Sequence, residues 1–308
     1  MSQHVPTVDS AVDLALRGAV PPPDSAASRS RFALLGDAAR LTRTRIGLGI
    51  VGVIVLVALA GPLVAPHSPT EFVAIPNSAP SGEALFGADA LGRDVWSRFL
   101  HGGRSVLWLA VAATVLGMVV GVVVGLIAAY SRNWLDDVLM RLNDVLLAFP
   151  QIIFVLLAVS ALGPQLWLIV LTVGLTHAPR VARVMRGAAL EVVERDFIKS
   201  AEVVGEKRWR IIFAELLPNV TSPLLVETGL RMTYSISLVA GISFLGFGLQ
   251  PPTADWGLMI NENILSINVQ AWAVTLPAIA IGLLTVGTNL VTDGIARALI
   301  GLDRKGGE

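Results

Sequence analysis

Residues 46–65 read IGLGIVGVIVLVALAGPLVA, twenty positions without a charge. At 1.5 Å per residue, a helix of that length covers ~30 Å, the hydrocarbon thickness of a bilayer. The run follows 45 more polar residues that include Pro21, Pro22 and Pro23, which is unlike a cleavable signal peptide. It reads as a retained first membrane span. The whole chain agrees: 54% of its 308 residues are hydrophobic and 15% charged, with a mean hydropathy of +0.70. Soluble domains carry about a quarter charged residues. The net charge of zero gives no bulk attraction to nucleic acid, and the absence of Cys excludes disulfides, thiolate metal sites and Cys nucleophiles.

Working outward from that run, five more spans are expected. The second covers about residues 106–130 and carries Gly117, Gly121 and Gly125 on one helix face, a spacing that permits close backbone packing. Glycine is also simply common in membrane helices. The third covers 138–162. The fourth, 164–178, is short and ends at Pro179. The fifth covers 220–245, and the sixth, 271–296, is interrupted by Pro277. The expected fold is an all-α integral membrane protein with six transmembrane helices.

Six spans place both termini on one side. Nineteen of the 23 Lys and Arg then share that side and three lie opposite, with Arg231 inside a span. Basic residues mark the cytoplasmic face, so the expected topology is N-in, C-in, multi-pass, in a cytoplasmic membrane. The organisation is a cytoplasmic segment 1–45, disordered to about residue 30, a six-helix transmembrane domain 46–300, and a cytoplasmic tail 301–308.

The longest charged connection runs over 180–219. Residues 196–204 read as a helix, and Gly205 suits the left-handed position that ends one. A second helix follows, with Trp209, Ile212, Phe213 and Leu216 spaced i, i+3, i+4, i+7 on one face, broken by Pro218. Such a hairpin outside the bilayer can dock a partner or lie in the headgroups. Physical chemistry leaves both open.

The stretch Asp196-Phe197-Ile198-Lys199-Ser200-Ala201-Glu202-Val203-Val204-Gly205, continuing to Leu217-Pro218-Asn219, resembles the EAA loop of binding-protein-dependent ABC importers. Ala201, Gly205, Leu217 and Pro218 match that pattern; Lys199, Ser200 and Glu215 depart from it. Three further segments resemble permeases of dipeptide, oligopeptide and nickel importers: residues 86–98, residues 140–150, and residues 243–252 with Trp256-Gly257 after them. The chain is similar to the C-type partner of the two permeases.

The resemblance implies a type I ABC importer permease fold in a complex with a second permease, two ATPase subunits and an extracytoplasmic substrate-binding protein. It implies alternating access, with Asp196, Lys199, Ser200, Ala201, Glu202, Gly205, Leu217 and Pro218 coupling the spans to the ATPases. Peptides lead among the implied substrates, with nickel or another solute as alternatives. The chain has no phosphate-binding Gly-rich loop, so no enzymatic role is expected. ATP and Mg belong to the ATPase subunits, and no cofactor is expected here.

Intramembrane charges are functional candidates. Glu227 and Arg231 are i, i+4 in the fifth span, and Arg141 and Asp144 are i, i+3 in the third. Mutual neutralisation is the plainer reading of both. Asp255 and Glu262, in a loop without basic residues, are candidates to meet the binding protein or solvent. The four His are far apart, so no metal site is expected. An ion-coupled secondary transporter would need unpaired acids or broken helices at mid-membrane. A membrane enzyme would need a catalytic constellation at one depth. Lipid is the remaining expected partner.

Overall fold

The computed structural model describes residue 39 and residues 41–131 and 133–305. The expected disordered stretch up to about residue 30 and the last residues of the tail lie outside the described residues. The regular structure of the described chain is helical, apart from two isolated β-bridges, Phe72 with Arg93 and Ala88 with Asp94.

The long elements are α1 (Thr42–Val64), α2 (Val95–Ser131), α3 (Trp134–Ala148), α4 (Gln151–Leu162) and α5 (Leu166–Val193). A short helix α6 (Asp196–Val203) leads to a composite segment: α7 (Arg208–Arg210), a π-helix (Ile211–Leu216) and α8 (Leu217–Asn219). The chain finishes with α9 (Thr221–Phe244), α10 (Trp256–Asn263), a 3₁₀ turn (Ile264–Ser266) and α11 (Trp272–Lys305).

Four of these helices, α1, α2, α5 and α11, are long and apolar enough to cross a membrane. The expected third span is instead two helices, α3 and α4, bent by 82° at Phe149-Pro150. Proline forces the residue before it out of the helical region, and Phe149 accordingly sits at ψ 132°. The pair makes a fifth candidate crossing if counted as one.

The expected fourth span is corrected as well. It does not stop at Pro179 but continues to Val193. A proline inside a helix costs ~3 kcal/mol through a lost hydrogen bond and a ring clash. Burial on both sides of Pro179 offsets this, since Val173, Val181, Ala182, Met185 and Ala189 are all enclosed. The Gln151 amide donates to the Thr176 carbonyl on the turn that proline disturbs, at 3.1 Å.

The α2–α5 pair is the axis of the fold. A Cβ added at Gly117 would sit 2.8 Å from the Gly174 carbonyl oxygen. At Gly121 it would meet the Ala178 oxygen at 2.6 Å, and at Gly125 the Ala182 oxygen at 2.5 Å. Small residues every fourth position on both helices therefore bring the two backbones together. Around this axis lie three apolar clusters. One joins the ends of α2 and α5 to the π-helix. A second joins α1, the start of α2, α10 and α11. The third gathers α4, the middle of α2 and the end of α9.

Candidate functional site

The segment 196–219 is built as a rigid base with an exposed tip. Helix α6 ends in a complete Schellman motif. The Gly205 amide donates to the Glu202 carbonyl at 3.0 Å, and the Glu206 amide to the Ala201 carbonyl at 3.0 Å. Gly205 sits at φ +83°, a left-handed conformation that side chains with a Cβ adopt at a cost.

The following segment departs from the expected amphipathic helix. A π-helix closes hydrogen bonds from i to i+5, which changes the residues that share a face. Ile211, Ile212 and Leu216 are buried, whereas Trp209 and Phe213 are exposed. The face expected to hold Trp209, Ile212, Phe213 and Leu216 together is thus split. Pro218 lies inside α8, and the break before α9 falls at Val220 (φ −110°, ψ 20°). The Asn219 side chain donates to the Glu215 carbonyl at 2.7 Å.

The buried residues weld the segment to its scaffold. Ile212, Leu216 and Val220 pack with Leu126, Ala129, Met185, Ala189 and Val193 from α2 and α5. Ile198 on α6 is fully enclosed. The tip is different. Val203 and Val204 are 87% and 80% exposed, with Trp209 at 62%. Lys199, Glu202, Glu206, Lys207 and Arg210 surround them. Lys199 Nζ lies 3.9 Å from Glu194, an exposed pair that adds little to stability. Ser200 back-bonds to the Asp196 carbonyl at 2.8 Å. An apolar tip rimmed by charge is the form of a protein contact surface.

Glu227 and Arg231 do meet inside the chain. Nε of Arg231 lies 2.8 Å from Glu227, both side chains are buried, and the guanidinium sits 5.1 Å from the Tyr234 ring centroid. The second expected pair is corrected. Asp144 pairs with Arg183 on α5 rather than with Arg141. Nearby, Arg186 grips Asp136 with two hydrogen bonds of 2.6 Å. Both contacts tie α3 to α5, and long Arg side chains on α5 reach them where the i, i+3 partner does not.

A further charged cluster escaped the sequence reading. Asp89, Arg93, Arg98 and Glu262 form one buried network. Arg93 lies 2.7 Å from Asp89 and 2.8 Å from Glu262, and Arg98 lies 2.7 Å from Glu262. Asn263 accepts from the Ala90 amide at 2.9 Å. The network clamps the 66–94 connection onto α10. Glu262 is therefore occupied, and it is not presented freely to a partner. Asp255 is fully buried as the N-cap of α10, accepting from Leu258 N at 3.0 Å and Ser105 Oγ at 2.5 Å. Burial pushes its carboxyl above the usual range, and the Ser105 and Leu258 hydrogen bonds pull the other way. The signal that could have found the cluster is the placement of Asp89, Arg93 and Arg98 within ten positions, at helical or turn spacing. Their partner Glu262 lies far off in sequence. Among the described residues no His, Asp and Glu cluster is placed to hold a metal ion.

Residues 121–301 match the family described as binding-protein-dependent transport system inner membrane component. A di/tripeptide transport system permease of Pseudomonas aeruginosa is 35% identical over 260 residues, 82% of this chain and 86% of that protein. A dipeptide transport system permease of Alkalihalophilus pseudofirmus is 34% identical over 257 residues, 82% of this chain and 84% of that protein. A glutathione transport system permease of Pectobacterium atrosepticum is 35% identical over 223 residues, 72% of this chain and 74% of that protein. Among solved structures, a chain of the inward-facing MetNI methionine ABC transporter aligns with TM-score 0.53 at 17% identity. The alignment covers 65% of this chain and 95% of that one, a likeness of fold.

Proposed function

The chain belongs to the family of binding-protein-dependent transport system inner membrane components, and on that premise we propose that it is one of two permeases in an ATP-driven importer of di- or oligopeptides. The relatives named for peptides and glutathione favour peptides over nickel. The binding protein would deliver the peptide, and separate ATPase subunits would bind ATP and Mg.

The observation that carries the coupling role is the tip of the 196–219 segment. Val203, Val204 and Trp209 stand out of a base buried against α2 and α5. Movement of an ATPase gripping that tip would pass directly into both helices, because the base has no slack. Asp196, Lys199, Ser200, Ala201 and Glu202 form the gripped helix. Gly205 sets its end, and Leu217 and Pro218 lead the chain back to α9.

Six crossings follow if the bent α3–α4 pair is one span and α9 is another. At 24 residues, α9 reaches ~36 Å and is long enough despite Glu227 and Arg231. Most of the basic residues then lie on the cytoplasmic side, with both termini, and residues 46–300 form the permease domain. The Glu227–Arg231 ion pair balances its own charge within the chain and serves helix packing rather than a free binding site.

The test is Gly205→Val in the reconstituted complex. A β-branched residue at a positive φ is strained by ~1–2 kcal/mol, with no clash to blame, since nothing lies within 4 Å of its Cβ. The variant should insert and assemble yet lose peptide-stimulated ATPase activity. Normal stimulation would refute the coupling role.

A further inference from the structure

A groove of about 460 Å³ opens on the outer surface of the helix bundle, between α1, α2, α9 and α11. Its walls are Val51, Val55, Leu107, Val111, Met232 and Leu284, almost wholly apolar. Thr288, which also borders it, donates its hydroxyl proton to the Leu284 carbonyl at 2.8 Å and so has no free donor. The one charge is Arg104, at one end. Its Nη2 donates to the Leu59 carbonyl at 2.7 Å, and the residue remains exposed. Trp108, 67% exposed, stands beside it.

The groove has a direction and a length. Leu59 and Arg104 are level with each other at one end. Leu48 and Val291 lie at the other, next to the close approach of Gly47 to Val291. The eleven steps along α1 from Leu59 to Leu48 span ~16 Å. That is about half of a ~30 Å hydrocarbon core, the depth of one leaflet. A cation and an exposed indole at the mouth match the headgroup level, where Arg snorkels and Trp concentrates.

We propose that this groove is a binding site for one phospholipid with an anionic headgroup. An acyl chain lies along Val51, Val55 and Val111, and the headgroup phosphate sits on Arg104. The inference rests on the membrane reading of α1, α2 and α11. Lipid fits better than a second protein chain. Helix contacts between membrane proteins favour small residues that bring backbones together, and this lining is Leu, Val, Met and Trp.

Native mass spectrometry of the full chain in detergent, titrated with phosphatidylglycerol, tests the site. The wild type should show one adduct tighter than the rest. Arg104→Gln should weaken it about fivefold, the effect of one basic residue at an anionic surface. Val55→Trp, which fills the groove, should abolish it, and Leu56→Trp, on the exposed face beside the groove, should leave it intact. Equal adduct affinity in wild type, Arg104→Gln and Val55→Trp would overturn the proposal. So would a Val55→Trp chain that binds lipid normally but no longer co-purifies with a second permease, which would make the groove a protein interface. Arg104 is exposed, so its variant reads out even if the Trp variant fails to fold. A wild-type complex that shows the tight adduct yet transports no peptide would strike the importer reading alone.

Discussion

Gly121→Ala adds one methyl group at the tightest point of the α2–α5 axis. The new Cβ would lie 2.5 Å from Val181 Cβ, 2.6 Å from the Ala178 carbonyl oxygen and 2.7 Å from Val181 Cγ1. Ordinary contact begins at 3.4 Å, so the two helices must separate locally. Overpacking of this kind costs ~1–3 kcal/mol. The upper half applies, because one obstacle is backbone and the other a β-branched side chain. Removing a glycine from a helix interior returns up to ~1 kcal/mol. The net is a loss of about 1–2 kcal/mol. At ~2–4 °C per kcal/mol, the midpoint of thermal unfolding in detergent should fall by about 2–8 °C. Gly187→Ala on α5 is the control, since nothing lies within 4 Å of its Cβ. That variant should unfold at the wild-type temperature or slightly above it. If Gly121→Ala and Gly187→Ala unfold at the same temperature, the close backbone approach is not what holds α2 to α5.

Two further perturbations probe the buried charges. Arg98→Met leaves Asp89 and Glu262 sharing Arg93 alone, and breaking a buried network this way costs ~3–5 kcal/mol. The double variant Arg98→Met/Glu262→Gln restores charge balance and should unfold at a higher temperature than the single one; the opposite order would show that the network does not act as a unit. For the intramembrane pair, Glu227→Ala and Arg231→Ala should each destabilise more than half as much as the double variant. A double-mutant cycle with purely additive effects would dissolve the pairing.

Long apolar runs made α1, α2 and α11 visible in the sequence, because a charge-free stretch of bilayer length has few other uses. The interruptions were less legible. Pro150 breaks its span and Pro179 does not. The difference lies in tertiary burial around Val173, Val181 and Met185, which no local pattern records. The π-helix was hidden for a similar reason. Trp209, Ile212, Phe213 and Leu216 carry a helical apolar spacing, but packing against α2 and α5 selects Ile211, Ile212 and Leu216 instead. Gly205 was readable because its role is local, a left-handed cap after a short helix. Asp144 with Arg183 and Glu262 with Arg93 and Arg98 were not, because each joins residues 39 to 169 positions apart. Arg141 stands closer to Asp144 in sequence, yet the long side chain of Arg183 on α5 takes that carboxylate.

On the proposed function, an ATPase would grip the tip at Val203 and Val204. The chain has no Cys, so a single Val204→Cys is a unique thiol within it. In the assembled complex, a bifunctional thiol reagent should link that position to an ATPase subunit, and nucleotide should change the yield. The same reagent on Leu56→Cys, on the exposed face of α1, should give no such product. An ATPase adduct absent from Val204→Cys in a complex that still hydrolyses ATP in response to peptide would contradict the account.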